Sequence, residues 1–170
     1  MKKIIHYYPR AFVGNGGVTI AVWRILKSLK KNYDLYIAYD QNLIKKQPLE
    51  IKNIKKIQTK HYLSGKFQIP SNFLKNFDKN TIIFLHSGLL LKNIFVALYA
   101  NKIGAKLILV PHGCYDPTLL KYNKLLKKFF IYFEKFIFKN LFFFQAFTKL
   151  YKKNIFKIFN KNKIKIIPLP

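Results

Sequence analysis

The chain has 170 residues and is 51% apolar, enough for one domain with a sizeable core. Its formal net charge of +26 points to nucleic acid or an anionic membrane as partner, unless the excess only reflects the AT-rich codons that Lys, Ile, Phe, Asn and Tyr share. Arg10 and Arg24 are the only arginines beside 30 lysines, which is poor material for reading phosphates with a bidentate fork, and the lone Cys114 excludes an internal disulfide framework and suits a reducing compartment.

Neither end of the composition argues for a membrane span. The start "MKKIIHYYPR" has too short an apolar run for a secretory signal, being cut by His6 and Pro9. The most apolar window, residues 129–147, carries Glu134, Lys135 and Lys139, and three charges at mid-bilayer depth are incompatible with a spanning helix. The expectation is a protein of the cytoplasmic side, with peripheral attachment to the inner face of the plasma membrane as an option.

In chain order, residues 2–8 read as a short buried strand, β-branched and aromatic, ended by Pro9. Residues 18–31 read as a helix, with Val18, Ala21, Val22, Ile25, Leu26 and Leu29 on one face and the basic residues away from it. Strands follow at 33–39 and, more weakly, 54–59, with a loop at 41–53 and an irregular stretch at 61–80. Residues 81–86 are a strand. Residues 89–104 are a helix closed by Gly104. Residues 105–113 are a strand again. Pro117 and Thr118 open what reads as one long helix to about Asn140. Its apolar positions Tyr122, Leu125, Leu126, Phe129, Phe130, Phe133, Phe136 and Ile137 recur at helical spacing. A strand at 141–147, a helix at 148–159 and a strand at 163–169 complete the chain. Strands alternating with helices predict an α/β fold: a doubly wound, mostly parallel sheet of about seven strands with helices on both faces, Rossmann-like.

The first strand-to-helix turn gathers Gly14, Gly16 and Gly17 around Asn15. In such a fold this turn lies at the carboxyl edge of the sheet, where glycine lets a ligand approach the backbone and a helix N-terminus favours phosphate. The competing reading is a tight turn that needs positive φ and nothing more. The dinucleotide fingerprint is incomplete, because its last glycine falls at Thr19, although Asp40 stands where a ribose-binding acid would be. No P-loop lysine follows the glycines.

Two histidines stand at strand ends, His86 in "FLHSG" and His112 in "LVPHGCYDP". Both would face the crevice of the glycine turn. One such histidine is most simply a structural group; two at equivalent positions make a functional reading equally plausible. Neither has metal-ligand spacing to Cys114 or to an acid, so no metal is expected.

These segments together, "GNGGVTIAVWRILKSL", "IIFLHSG", "LILVPHGCYDPTLLKYNKLLKKFF", "FQAFTKLYKKNIFKIF" and "KIKIIPLP", resemble in order the N-terminal domain of GT-B fold glycosyltransferases, family 4 (group 1) type, of bacterial lipopolysaccharide and capsule synthesis. The resemblance spans nearly the whole chain, and "PHG-x-x-DP" before a lysine-rich helix is its most specific part. It implies an acceptor-binding domain acting with a second domain that holds most of a sugar-nucleotide donor, and no other cofactor. Asn15, Gly16 and Gly17 would face the donor diphosphate. His86 would be the catalytic-centre histidine that hydrogen-bonds the donor sugar, and His112 with Gly113 would form the second cleft-facing motif. The E-x7-E acid pair of the family's donor domain has no counterpart among the six acidic residues. The expected partners are a saccharide or lipid-linked acceptor, a separate donor-domain protein and an anionic membrane surface, with no specific nucleic acid. Two other classes stay open: a basic Rossmann-like binder of nucleic acid or anionic surfaces, and a small NAD-type nucleotide-binding domain.

Overall fold

A computed structural model describes residues 2–12, 16–29, 33–40, 53–59, 75, 77–160 and 163–170. Its strands are β1 (Lys3–Tyr7), β2 (Asp34–Asp40), β3 (Lys55–Thr59), β4 (Ile82–His86), β5 (Lys106–Val110), β6 (Phe143–Ala146) and β7 (Ile164–Ile166). They form a single sheet in the order β3-β2-β1-β4-β5-β6-β7, with every pairing parallel. The helices are α1 (Gly17–Leu29), α2 (Leu91–Ile103), α3 (Pro117–Leu120), α4 (Lys124–Ile137) and α5 (Lys149–Phe159). The expected α/β, doubly wound architecture is therefore present, and the weak third strand is real.

Alternation along the central strands sorts the core into two layers. Ile5 and Tyr7 of β1, Ile83 and Leu85 of β4, and Leu107 and Leu109 of β5 pack with Val96, Ala97 and Ala100 of α2 and Ile155 and Phe159 of α5. On the opposite face Ile4, Leu35 and Ile37 meet Val22, Trp23 and Leu26 of α1. Sequence order reverses between β1 and β4. That switch point opens a crevice at the carboxyl edge of the sheet, because the connections leave β1 and β4 toward opposite faces.

Local signals set the helix ends. Gly104 closes α2 at φ 73°, its N–H returning to Ala100 and Asn101. Asp116 caps α3 by accepting from the Thr118 N–H at 2.9 Å, with Pro117 at the first helical position. Thr148 caps α5 through the Tyr151 N–H at 3.1 Å.

The single helix expected over 118–140 is corrected. Asn123 takes φ 51° and separates α3 from α4, and Asn tolerates this left-handed conformation better than most residues. The apolar stripe is also turned differently from a sheet-packing face. Glu134 and Ile137 are buried with Phe138 beyond them, whereas Leu125, Leu126, Phe129, Tyr132, Phe133 and Phe136 are exposed, Leu125 to 84%. Periodicity alone recognises a face; it does not say which face the fold covers.

Candidate functional site

The parallel sheet brings the ends of β1, β2, β4 and β5 to one edge, and a cleft of about 620 Å³ lies there. Tyr8, Pro9 and Arg10 border it after β1, and Asp40 at the end of β2. Ser87 and Gly88 follow β4, Leu91 and Lys92 open α2, and Cys114 follows β5. Val18, in the first turn of α1, lines it too, so Gly16 and Gly17 precede a residue of the cleft wall. Asn15 lies outside the described residues.

The two described glycines of this turn are not required by the protein's own packing. Positive φ among the described glycines occurs only at Gly104 and Gly113. A Cβ at Gly17 would meet nothing within 4 Å, and one at Gly16 would meet only the Thr19 hydroxyl at 3.8 Å. The tight-turn explanation thus fails for Gly16 and Gly17. Thr19 and Trp23 tie α1 to the segment after β1, through Arg10 O at 3.4 Å and Ala11 O at 3.0 Å.

Behind the cleft three histidine rings form a hydrogen-bonded chain. His86 Nδ1 lies 2.8 Å from His112 Nε2, and His86 Nε2 lies 2.8 Å from His6 Nδ1. His6 and His86 are both fully buried. They share the α1 face of the sheet, since β1 and β4 pair in parallel register with His6 opposite Phe84. His6 stacks on Phe84 at 4.5 Å between centroids. Burial holds all three imidazoles below their usual pKa, His112 at about 4 and His6 at about 3, with mutual repulsion adding to the effect on the inner two. The rings are therefore neutral at pH 7.

His86 and His112 meet at the ends of β4 and β5, but neither they nor Gly113 are among the residues that line the cleft, and the surroundings of the two rings differ. His86 is enclosed, with both ring nitrogens engaged, while the His112 ring is part-exposed. His112 sits at φ 50° and Gly113 at φ 86°, left-handed backbone that Gly accepts freely and His does not. The Gly113 N–H donates to the Tyr151 hydroxyl at 2.8 Å, which anchors this loop to α5. Ser87 and Leu89 in the loop after β4 also have positive φ, at 70° and 58°. Asn93 of α2 holds that loop by donating to the carbonyls of His86 at 3.1 Å and Ser87 at 2.6 Å.

A buried carboxylate braces both loops. Glu134 Oε1 accepts from the Leu89 N–H at 2.6 Å, and Glu134 Oε2 accepts from the Tyr115 hydroxyl at 2.8 Å. Burial raises the Glu134 carboxyl to about 7, against the opposing effect of these two hydrogen bonds. Tyr115 reaches this position only because residue 88 is glycine: a Cβ there would lie 2.5 Å from the Tyr115 hydroxyl. Asp40 lines the cleft but has both carboxylate oxygens engaged, Oδ1 by Thr59 at 2.8 Å and Oδ2 by Lys92. Burial pushes the Cys114 thiol up, away from a reactive thiolate. Among the described residues no group of three or more acidic, His or Cys side chains could hold a metal.

Sequence reasoning did not single out His6, Gly88, Tyr115 or the inward role of Glu134. The signal for Glu134 was available: it lies four residues after Phe130 and three before Ile137, on the same helical stripe. His6 has no such signal, because its partner is 80 residues away.

No family model matches the chain, and no curated protein does. Solved structures do. The chain is similar to HepE of Anabaena in complex with UDP-glucose, at 13% identity and a TM-score of 0.67, covering 98% of this chain and 43% of that one. The same protein in complex with UDP and glucose aligns at 12% identity and a TM-score of 0.65, covering 99% and 44%. In complex with UDP alone it aligns at 8% identity and a TM-score of 0.59 over the same shares. The chain thus spans less than half the length of this structural relative, and at these identities the likeness is one of fold, a Rossmann-like α/β unit.

Proposed function

We propose that this chain is the acceptor-side half of a sugar-nucleotide-dependent glycosyltransferase of the GT-B type, family 4 in kind, working on a cell-surface saccharide or a lipid-linked acceptor. The observation that carries the reading is the cleft at the β1/β4 switch point, with the N-terminus of α1 on one wall and the His112 loop behind the other. The fold it shares with a protein that holds UDP-glucose supports the same reading.

Each residue has a role in this proposal. A transferring glycosyl group develops negative charge on the leaving diphosphate, and preorganised donors lower that barrier. Gly16 and Gly17, free of any need of their own fold, let the diphosphate approach the α1 N-terminus, and Asn15 stands beside them in sequence. Arg10 adds the cleft's guanidinium. His112 and Gly113 meet the sugar. His86 acts through His112 rather than by touching the ligand, because its ring is enclosed. The base, the ribose and the opposite wall belong to a second, donor-binding domain, which completes the site and excludes water on closure.

The test is a transfer assay of the purified chain with a panel of sugar nucleotides and with polyprenyl-linked or free saccharide acceptors, with and without a donor-domain protein. Turnover is expected only when both halves are present. Robust turnover by the chain alone would overturn the two-half reading.

The same proposal places α4 on an anionic membrane. Its exposed aromatic stripe is flanked by Lys121, Lys124, Lys128, Lys135 and Lys139, while its one acid, Glu134, faces inward. Between α3 and α4 a groove of about 530 Å³ is lined by Lys121, Lys124, Lys127 and Lys128 together with Leu120 and Ile131, a mixture of charge and apolar surface that suits lipid phosphate and acyl chain. Each lysine near such a surface contributes about 1 kcal/mol. No helix among the described residues is long and apolar enough to cross a membrane, so attachment would be along the surface. Sedimentation with anionic vesicles should bring the protein down, and with neutral vesicles it should not; equal binding to both, or to neither, removes this part of the proposal.

A further inference from the structure

The histidine chain has a consequence that concerns His6. A neutral imidazole carries one N–H and one lone pair. Each 2.8 Å contact in the chain needs one N–H between its two nitrogens. His86, in the middle, has a single proton to share between two neighbours. It must give to one ring and receive from the other. Both bonds survive only if all three rings carry the proton at the same position, all on Nδ1 or all on Nε2.

The two ends of the chain decide between these orders. His6 Nε2 is buried and has no hydrogen-bond partner. His112, at the other end, is part-exposed, two residues before Cys114 of the cleft wall. With the protons on Nε2, an N–H of His6 would point unpaired into an apolar layer. With the protons on Nδ1, only a lone pair is left there. Orphaned buried N–H groups are the rarer defect in folded proteins.

We propose that His6 is a positioning residue that holds His86 and His112 in the Nδ1–H form, so that His112 presents a fixed donor and the ligand atom set against it is an acceptor, a hydroxyl or phosphate oxygen. His6 does this from the interior, where no ligand can touch it. The tautomer order rests on the two hydrogen bonds, the unpartnered His6 Nε2 and the neutrality of the buried rings. Its use against a sugar or a diphosphate rests on the function proposed above.

Imidazole 15N NMR of the 170-residue chain tests the order without any ligand. The variant His61→Gln removes the fourth ring from the spectrum. At pH 7 all three remaining rings should show a protonated-type signal at Nδ1 and an unprotonated-type signal at Nε2. Any ring with the reverse pattern, or with averaged signals, overturns the proposal. His6→Asn then offers His86 either a donor or an acceptor. The nitrogen signals of His86 and His112 should shift toward the average of the two tautomers, although neither residue is changed. A His112 pattern unmoved in this variant would show that His6 does not set it. Should His6→Asn fail to fold, the spectrum of the His61→Gln protein alone still decides the order. A correct order with no sugar transfer would leave the tautomer assignment standing and remove only the proposed function.

Discussion

The carboxyl-edge cleft and the outward face of α4 are built from the same materials, aromatic rings and basic groups, and use them in opposite ways. Around the cleft the buried charged and ring groups are tied to one another. Asp40 is held by Thr59 and Lys92, Glu134 by Leu89 and Tyr115, and the histidines by each other. On α4, Phe129, Tyr132 and Phe136 stand in the open with lysines between them. The first region is preorganised and can be damaged by small changes. The second is unpartnered and can lose side chains with little effect on the fold. That difference yields separable predictions, from the largest effect to the smallest.

Acid should separate the two regions most clearly. The histidine pKa values are depressed in the fold, so the unfolded chain binds protons that the folded chain refuses, and stability falls as pH drops from about 6.5 toward about 4. His112 alone, shifted from 6.5 to about 4, accounts for roughly 3 kcal/mol. Glu134 acts with the opposite sign: raised from 4.5 to about 7, it takes up a proton on folding and adds stability as pH falls through 7. Three groups against one leave stability nearly level above about pH 7.5 and falling along a steep acid limb below about pH 7. Urea titrations across this range would show it, and a profile flat from pH 6.5 to 4.5 would contradict the buried neutral chain. Vesicle binding through α4 should persist across this range as long as the protein remains folded.

Gly88→Ala should cost about 3 kcal/mol. The new methyl overlaps the Tyr115 hydroxyl and breaks its bond to Glu134, adding overpacking to a lost buried hydrogen bond. Denaturant midpoints measure it. A loss below about 0.5 kcal/mol would mean that the loops are not braced in this way.

Phe129→Ser together with Phe136→Ser should change stability by less than about 1 kcal/mol, two exposed sites at about 0.5 kcal/mol each. The same pair should weaken binding to anionic vesicles by roughly tenfold or more, from the apolar surface no longer buried. A large loss of stability would show that this face packs against the protein after all.

The smallest effect on the fold is expected at Gly17→Ala. With open space at its Cβ and an ordinary φ, the substitution should be neutral or stabilise by about 0.5 kcal/mol. On the function proposed above, the same substitution should weaken UDP binding once a donor-binding domain is supplied, which calorimetry would read.

Local patterns carried most of the architecture. The β-branched runs at β1, β4 and β5, the Gly104 stop, the Pro117–Thr118 start and the apolar face of α1 are all local, so the alternation of strand and helix was legible, and with it the parallel sheet and its carboxyl edge. His86 and His112 could be placed at that edge for the same reason: a strand end is a local feature. What the chain alone could not reveal depends on registers and rotations between distant segments. The link from His6 to His86 exists because β1 and β4 are neighbours in a fixed register. The face of α4 that is buried, and hence the inward Glu134 and the outward phenylalanines, was decided by how α4 leans on α2 and the sheet, a choice that helical periodicity leaves open because either of two apolar stripes could have been covered. The break at Asn123 belongs with these, since a left-handed residue between two helices is a product of where their ends must go.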